Sequence, residues 1–211
     1  MQNMGRLGVW VCLCLASSHA FTLELNAQQG DAAAVPLSNV RLVNQYGEAV
    51  RFYDDLIRDR VVLINFMYTT CTNICPLNTA QMSRLYERMG TRMQGNFAML
   101  SISIDPQTDD PERLHQYWQA FGAKPGWQFL TGDEADIERL RRDLGVYDLD
   151  PVVDADKSQH AGIVTIGNDR SGRWMALPIM MDLKQLAMTI LRNVRERPWR
   201  QVNAVARDGS T

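Results

Sequence analysis

Cys71 and Cys75 are the residues of this chain whose type and spacing most directly imply chemistry. They lie in Val61-Val-Leu-Ile-Asn-Phe-Met-Tyr-Thr-Thr-Cys-Thr-Asn-Ile-Cys-Pro76. An apolar run precedes them, and Pro76 is a residue type that opens helices. A strand therefore delivers the first thiol into a loop, and a helix starts at the second. Thiols at a helix N-terminus feel its partial positive charge, which lowers their pKa and makes thiolate accessible. Three residues separate the pair, one more than in the common redox motif. The extra residue shifts the reading from disulfide exchange towards holding a soft metal. Cys71 and Cys75 at i and i+4 would share one side of a first helical turn, about 5–6 Å apart at Cβ if the turn is regular.

The elements around the pair follow from periodicity. Leu42-Val-Asn-Gln-Tyr-Gly-Glu-Ala-Val50 forms two short apolar segments about Gly47, a hairpin pattern. Val61 to Met67 is continuous and apolar, as in a mid-sheet strand covered on both faces. From Pro76 a helix carries Met82, Leu85, Tyr86 and Met89 at core spacing and stops at Gly90. Phe97 to Ile104 is a second strand, followed by a turn at Asp105-Pro106. Asp110 then caps a helix with Pro111 in its first turn and Leu114, Tyr117, Trp118 and Phe121 on its buried face. Thr131 and Glu134 suggest a capping box for a helix with Ile137, Leu140 and Leu144 inward. A polar loop from Asp148 to Gln159 leads to Ala161–Ile166 and, past a turn at 168–172, to Trp174–Leu177 as a final hairpin. Asp182 opens the last helix, with Leu183, Leu186, Ala187, Ile190, Leu191 and Val194 on one face.

The order is thus hairpin, βαβα, helix, ββ, helix. The fold class is α/β: a thioredoxin-like central mixed sheet flanked by helices, with an added N-terminal hairpin. The βαβ step requires parallel strands and a right-handed crossover. Residues 37–195 form the domain, 21–36 a linker, and 196–211 a disordered tail.

The chain has 211 residues, 45% hydrophobic and 22% charged, enough for one sizeable core. Its 22 basic and 24 acidic residues give −2, and since residues 1–20 carry only Arg6, the remainder carries −3. No basic stripe stands out, which argues against a nucleic-acid partner. Arg6, the apolar stretch Leu7 to Ala16 and Ser18-His19-Ala20 make residues 1–20 an export signal. The alternative is an uncleaved anchor, associating with the membrane through residues 7–20. The protein is expected to be exported: periplasmic, or held at the inner membrane facing the periplasm. Cys12 and Cys14 fall in that leader, so Cys71 and Cys75 are the only thiols of the exported domain. Such a pair is a disulfide, a redox pair or a metal site.

From about residue 36 to 195 the sequence resembles the Sco/SenC family of exported, thioredoxin-like copper proteins. The most specific likeness is Thr70-Cys-Thr-Asn-Ile-Cys-Pro76 with its flanking strand and helix. Family members carry Cys-x-x-x-Cys-Pro and a histidine about 85 residues downstream, before a strand and a Gly-containing hairpin. His160, before Ala161-Gly-Ile-Val-Thr-Ile-Gly167, occupies that place. The resemblance implies that Cys71, Cys75 and His160 are copper ligands. It also implies a role in building the CuA centre of cytochrome c oxidase. Asn73 and Gln159 stand where many members have Asp, and each removes a carboxylate near the ligands.

Two thiolates and one imidazole make a soft, three-coordinate site suited to Cu(I), with imidazole tolerating Cu(II). Structural zinc normally closes with four protein ligands, which this chain does not readily supply. An inert disulfide would close only a tiny loop and stabilise little. His115 lies on its helix away from Leu114, Trp118 and Phe121, or at their edge, and reads as exposed. Most methionines fall at core positions, and Met67 alone is placed near the site. The polar run before His160 suggests a mobile loop. The primary expectation is a metallochaperone passing copper to an exported cuproprotein such as an oxidase subunit, supplied by thiol reductants or another copper chaperone. The rival is a thiol–disulfide oxidoreductase, with Cys71 as exposed nucleophile and Cys75 resolving. A peroxidase is disfavoured, because the second cysteine and its proline have no part in one.

Overall fold

The computed structural model describes residues 37–89, 96–157 and 162–195. These belong to the compact unit Ala33–Thr211; the other unit, Met1–Ala32, lies outside the described residues, as do the predicted leader, linker, tail and His160. The strands are β1 (Arg41–Asn44), β2 (Ala49–Arg51), β3 (Val61–Met67), β4 (Phe97–Ser103), β5 (Trp127–Gly132), β6 (Ile163–Asn168) and β7 (Arg173–Pro178). They form one sheet in the order β2-β1-β5-β4-β3-β6-β7. The helices are α1 (Ile74–Met89), α2 (Pro111–Ala120), α3 (Glu134–Asp143), α4 (Pro151–Ala155) and α5 (Leu183–Arg195), with a π-helical turn at Phe52–Ile57. Among the described residues, no helix is long and apolar enough to cross a membrane.

β3 pairs in parallel with β4 and antiparallel with β6, so it lies inside the sheet, and all seven of its residues are buried. Its alternation separates two cores. Leu63 and Met67 face a cluster completed by Met82, Leu85 and Met89 of α1, Leu114 of α2 and Leu186, Ala187 and Ile190 of α5. Val62, Ile64 and Phe66 face the other, with Phe52, Leu56 and Ile57 of the π-helical turn and Ile137 and Leu140 of α3. Asn65, on the first face, accepts from Ser101 Oγ at 2.7 Å, and Ser101 Oγ accepts from Trp127 Nε1 at 2.9 Å. This chain of bonds ties three adjacent strands together while satisfying their buried polar atoms.

Several sequence expectations change here. β5 is a strand the periodicity did not reveal. Its six residues follow Gly126, and Trp127 and Phe129 alternate inward over too short a span to stand out. The cap of α3 is Asp133, whose carboxylate accepts from Ala135 N and Asp136 N, while Thr131 belongs to β5; the predicted capping box is absent. Part of the expected polar loop is α4, capped by Asp150, which accepts from Val152 N at 2.9 Å. His115 stands beside Trp118 rather than away from it: the two rings stack at 5.6 Å, with Tyr46 tilted against both. The N-terminal hairpin turns at Gly47 (φ 78°), the Asp110 cap accepts from Arg113 N, and the β6–β7 hairpin stands as expected.

The β6–β7 ladder depends on one missing side chain. Gly167 is paired with Trp174, whose ring lies across it so closely that an added Cβ would come within 2.2 Å of ring carbon. Gly167→Ala is expected to displace the indole and cost about 1–3 kcal/mol of stability, as overpacking generally does. Chemical denaturation would measure this, and an unchanged midpoint would show that the ring swings aside freely.

Candidate metal and thiol site

The site sits at the C-terminal end of β3. After Met67, a short turn over Tyr68–Thr70 brings Cys71 to the mouth of α1, with Cys71 N donating to Tyr68 O at 3.4 Å. The helix begins at Ile74, two residues before Pro76. Cys71 therefore stands upstream of the first turn and does not share it with Cys75. Its sulfur instead caps the helix, accepting the Cys75 backbone N–H at 3.4 Å. One otherwise unpaired N–H of the helix start is satisfied by a thiol that thereby gains anion stabilisation.

Both cysteines are free thiols. Both are also buried, Cys71 at 7% exposure and Cys75 at 1%. Cys71 is thus the more accessible of the two but not the exposed nucleophile expected. Their acidities diverge. Burial is the largest influence on Cys71 and acts to raise its pKa. It is outweighed by the Cys75 thiol, the Cys75 and Asn73 amides and the Tyr68 hydroxyl, which all donate to its sulfur, and the net shift is downward. Cys75 is pushed up to about 12, by burial first and then by donating to Cys71 and by the negative charge of Cys71 and Asp109. Of the two thiols, Cys71 is therefore the one biased towards thiolate, while Cys75 keeps its proton.

Two tyrosines wall the pair. Tyr68 and Tyr117 are each raised to about 12, burial being the main cause in both. Tyr68 donates to Cys71, and Tyr117 shares a 3.1 Å hydrogen bond with Thr79 Oγ1, which itself donates to Cys75 O at 2.9 Å. Met67, the methionine placed near the site, is buried at the end of β3 in the same apolar cluster as both cysteines. Asp105, whose Asp-Pro pair reads as a turn, does begin the turn after β4, and its carboxylate meets Lys157 Nζ at 2.6 Å. That ion pair holds Asp105 below the usual carboxylate range. It ties the turn after β4 to the end of the segment that follows α4. A cavity of about 830 Å³ opens beside it, lined by Pro106, Glu138, Arg141, Asp154 and Lys157, and contains neither cysteine.

Of the three residues implicated by sequence, the structure brings Cys71 and Cys75 together, while His160 lies outside the described residues. Among the described residues no group of three His, Cys, Asp or Glu side chains gathers to hold a metal. β6, the strand that begins just after His160, is the direct neighbour of β3 (Val164 pairs with Asn65), so its start lies at the thiol end of the sheet. Sequence reasoning missed Tyr68, Thr79, Tyr117 and Asp109. In the run Asp105-Pro-Gln-Thr-Asp-Asp-Pro111 the proline marks Asp110 as the cap, but nothing marks Asp109 as the buried carboxylate.

A central parallel strand flanked by an antiparallel hairpin, with a dithiol where that strand meets a helix, defines a protein of the thioredoxin-like class. The model of the SCO1/SenC family matches residues 29–194. The chain belongs to that family. A protein of Stutzerimonas stutzeri is 28% identical over 195 residues, 86% of this chain and 92% of its own length. A SCO2-like protein of Rickettsia conorii is 27% identical over 159 residues, 72% of this chain and 73% of its own. Among solved structures, a SCO1/SenC family lipoprotein of Bacillus anthracis superposes with a TM-score of 0.62 at 23% identity, covering 75% of this chain and 95% of that one. Yeast Sco1 with copper bound gives 0.60 at 18% identity, covering 77% and 95%. At these identities the superpositions speak for the fold.

Proposed function

We propose that this chain is a copper metallochaperone that binds copper through Cys71, Cys75 and His160. It would deliver the metal to, or prepare, the CuA site of cytochrome c oxidase or a similar exported cuproprotein. The observation that carries the reading is the sulfur pair itself: two buried thiols at the mouth of α1, one already biased towards thiolate. Sulfur donors of this kind fit a soft monovalent ion. Copper bound in the related yeast structure, and a solved relative described as one of the Sco cytochrome c oxidase assembly proteins, lend support. Metal entry would displace the proton of Cys75, so affinity would rise with pH. Tyr68 would orient the Cys71 sulfur, and the surrounding apolar cluster would limit access by water. Export by residues 1–20, or anchoring through 7–20, would place the domain beside its recipient.

The test is titration of the reduced protein with Cu(I) against a chromophoric chelator, for wild type and His160→Ala. One-to-one binding that weakens at least tenfold without His160 is expected. Equal affinity in both would remove His160 from the ligand set.

The asymmetric thiols favour a second reading, a thiol–disulfide oxidoreductase. Cys71 thiolate would attack a partner's disulfide and release one partner thiolate. Cys75, on losing its proton, would then attack the mixed disulfide. The partner would leave as a dithiol, with two electrons transferred and a Cys71–Cys75 disulfide formed. Disulfide reductase turnover with His160→Ala unimpaired would favour this reading.

A further inference from the structure

We propose that Asp109 is the positioning residue of the thiol pair, its buried carboxylate clamping the turn that carries Cys71 onto the turn that follows β4. The proposal rests on the reading of Cys71 and Cys75 as the reactive sulfurs. Asp109 has 0% exposure. Oδ2 accepts from Thr69 N at 3.0 Å and from Ser103 Oγ at 2.6 Å, and Oδ1 accepts from the Thr69 hydroxyl. A buried carboxylate is costly unless its oxygens are satisfied, and these three bonds reach two separate segments. On one side lies Thr69, two residues before Cys71. On the other lie Ser103, at the end of β4, and Asp109 itself, whose N–H donates to Asp105 O at 2.9 Å within the turn. At the end of β3 Ile104 N donates to Met67 O at 2.9 Å, and beyond it the Asp109 bonds join the Thr69 turn to the turn after β4.

The link to the sulfurs is short. Tyr68, the residue before Thr69, accepts the Cys71 N–H on its carbonyl at 3.4 Å, and the Cys71 sulfur in turn accepts the Cys75 N–H at 3.4 Å. Fixing the amide of Thr69 fixes the Tyr68–Thr69 peptide plane, whose carbonyl accepts the Cys71 N–H and so sets where the Cys71 backbone and its sulfur stand. Asparagine in place of Asp109 keeps the shape but turns an –NH2 towards donors, so the clamp opens on at least one side.

The test uses the full chain in four forms besides wild type: Asp109→Asn, Thr69→Val, Thr69→Ser and, as a stability control remote from the sulfurs, Gly167→Ala. Three quantities are read: Cu(I) affinity by chelator competition, the thiolate-to-copper charge-transfer spectrum after Cu(II) loading, and the equilibrium constant for forming the Cys71–Cys75 disulfide against dithiothreitol. Asp109→Asn is expected to lose about 10–100-fold in Cu(I) affinity, the range typical of residues that orient ligands, with a shifted charge-transfer band. Its disulfide constant should change about tenfold. Thr69→Val should move all three in the same direction by a smaller factor, and Thr69→Ser should restore them. Gly167→Ala should lower the melting temperature and leave all three unchanged. A folded Asp109→Asn or Thr69→Val protein with wild-type spectrum, affinity and disulfide constant would overturn the proposal. Should wild type bind no copper, the metallochaperone reading fails, and the disulfide constants alone decide the role of Asp109.

Discussion

Cys75→Ser is expected to lower Cu(I) affinity by two to three orders of magnitude. Structural metal sites with four protein ligands gain about 10–16 kcal/mol in all, so one ligand accounts for about 3–4 kcal/mol, and each 1.4 kcal/mol is about tenfold in affinity. Serine also exchanges a soft donor for a hard hydroxyl that stays protonated at neutral pH, which a soft ion disfavours further. The fold should survive. Cys75 is at 1% exposure among apolar side chains, and the hydroxyl introduced there costs far less than the lost metal bond. Chelator competition measures the loss, and circular dichroism checks the fold. An affinity within threefold of wild type would mean that the Cys75 sulfur is not a ligand.

The second large effect is a difference in reactivity between two thiols four residues apart. In the reduced protein at pH 8, iodoacetamide should label Cys71 and leave Cys75 essentially untouched. With its value near 12, Cys75 at pH 8 is thiolate in only about one molecule in 10⁴. The Cys71 labelling rate should rise with pH and level off below the ordinary thiol value of 9.0, whereas Cys75 labelling should still be rising at pH 11. Tandem mass spectrometry of the peptide that carries both cysteines separates the sites. Equal labelling at pH 8 would refute the asymmetry. The same shifts act on stability with opposite signs. Cys71, with its lowered value, stabilises the folded chain above pH 9.0, a contribution lost as pH falls through its folded value. Cys75, with its raised value, leaves stability intact below pH 9.0 and erodes it as pH climbs towards about 12.

Much of this architecture is legible in the residues alone, because the strongest signals are long and unmixed. Seven consecutive apolar or buried positions from Val61 to Met67 read as an interior strand, and Asp110-Pro111 and Asp182 mark helix starts that the structure keeps. β5 escaped because its pairing with β1 and β4 comes from distant segments that no local pattern records. The capping box at Thr131 failed for a related reason: pairing with Val43 holds Thr131 in the sheet, and Asp133, closer to the helix, takes the cap. At the site, the cysteines announced themselves by spacing. The residues that set their acidities did not, since Tyr68 and Asp109 act by proximity across turns. The divergence of two similar thiols therefore could not be read without coordinates.

The interior position of β3 also bears on how each part of the site opens. Hydrogen-bonded to β4 on one side and β6 on the other, β3 cannot fray from an edge, so the strand that carries Cys71 is released only when most of the domain comes apart. The segment from α4 to Lys157 is built differently: α4 spans five residues, none of them buried. The segment is held by ion pairs, Asp154 to the buried Arg141 at 2.5 Å and Lys157 to Asp105 at 2.6 Å, the latter partly exposed to solvent and screened by salt. The thiol strand thus keeps the persistence of the hydrophobic core, whereas the Lys157–Asp105 link across the neighbouring turns loosens as ionic strength rises.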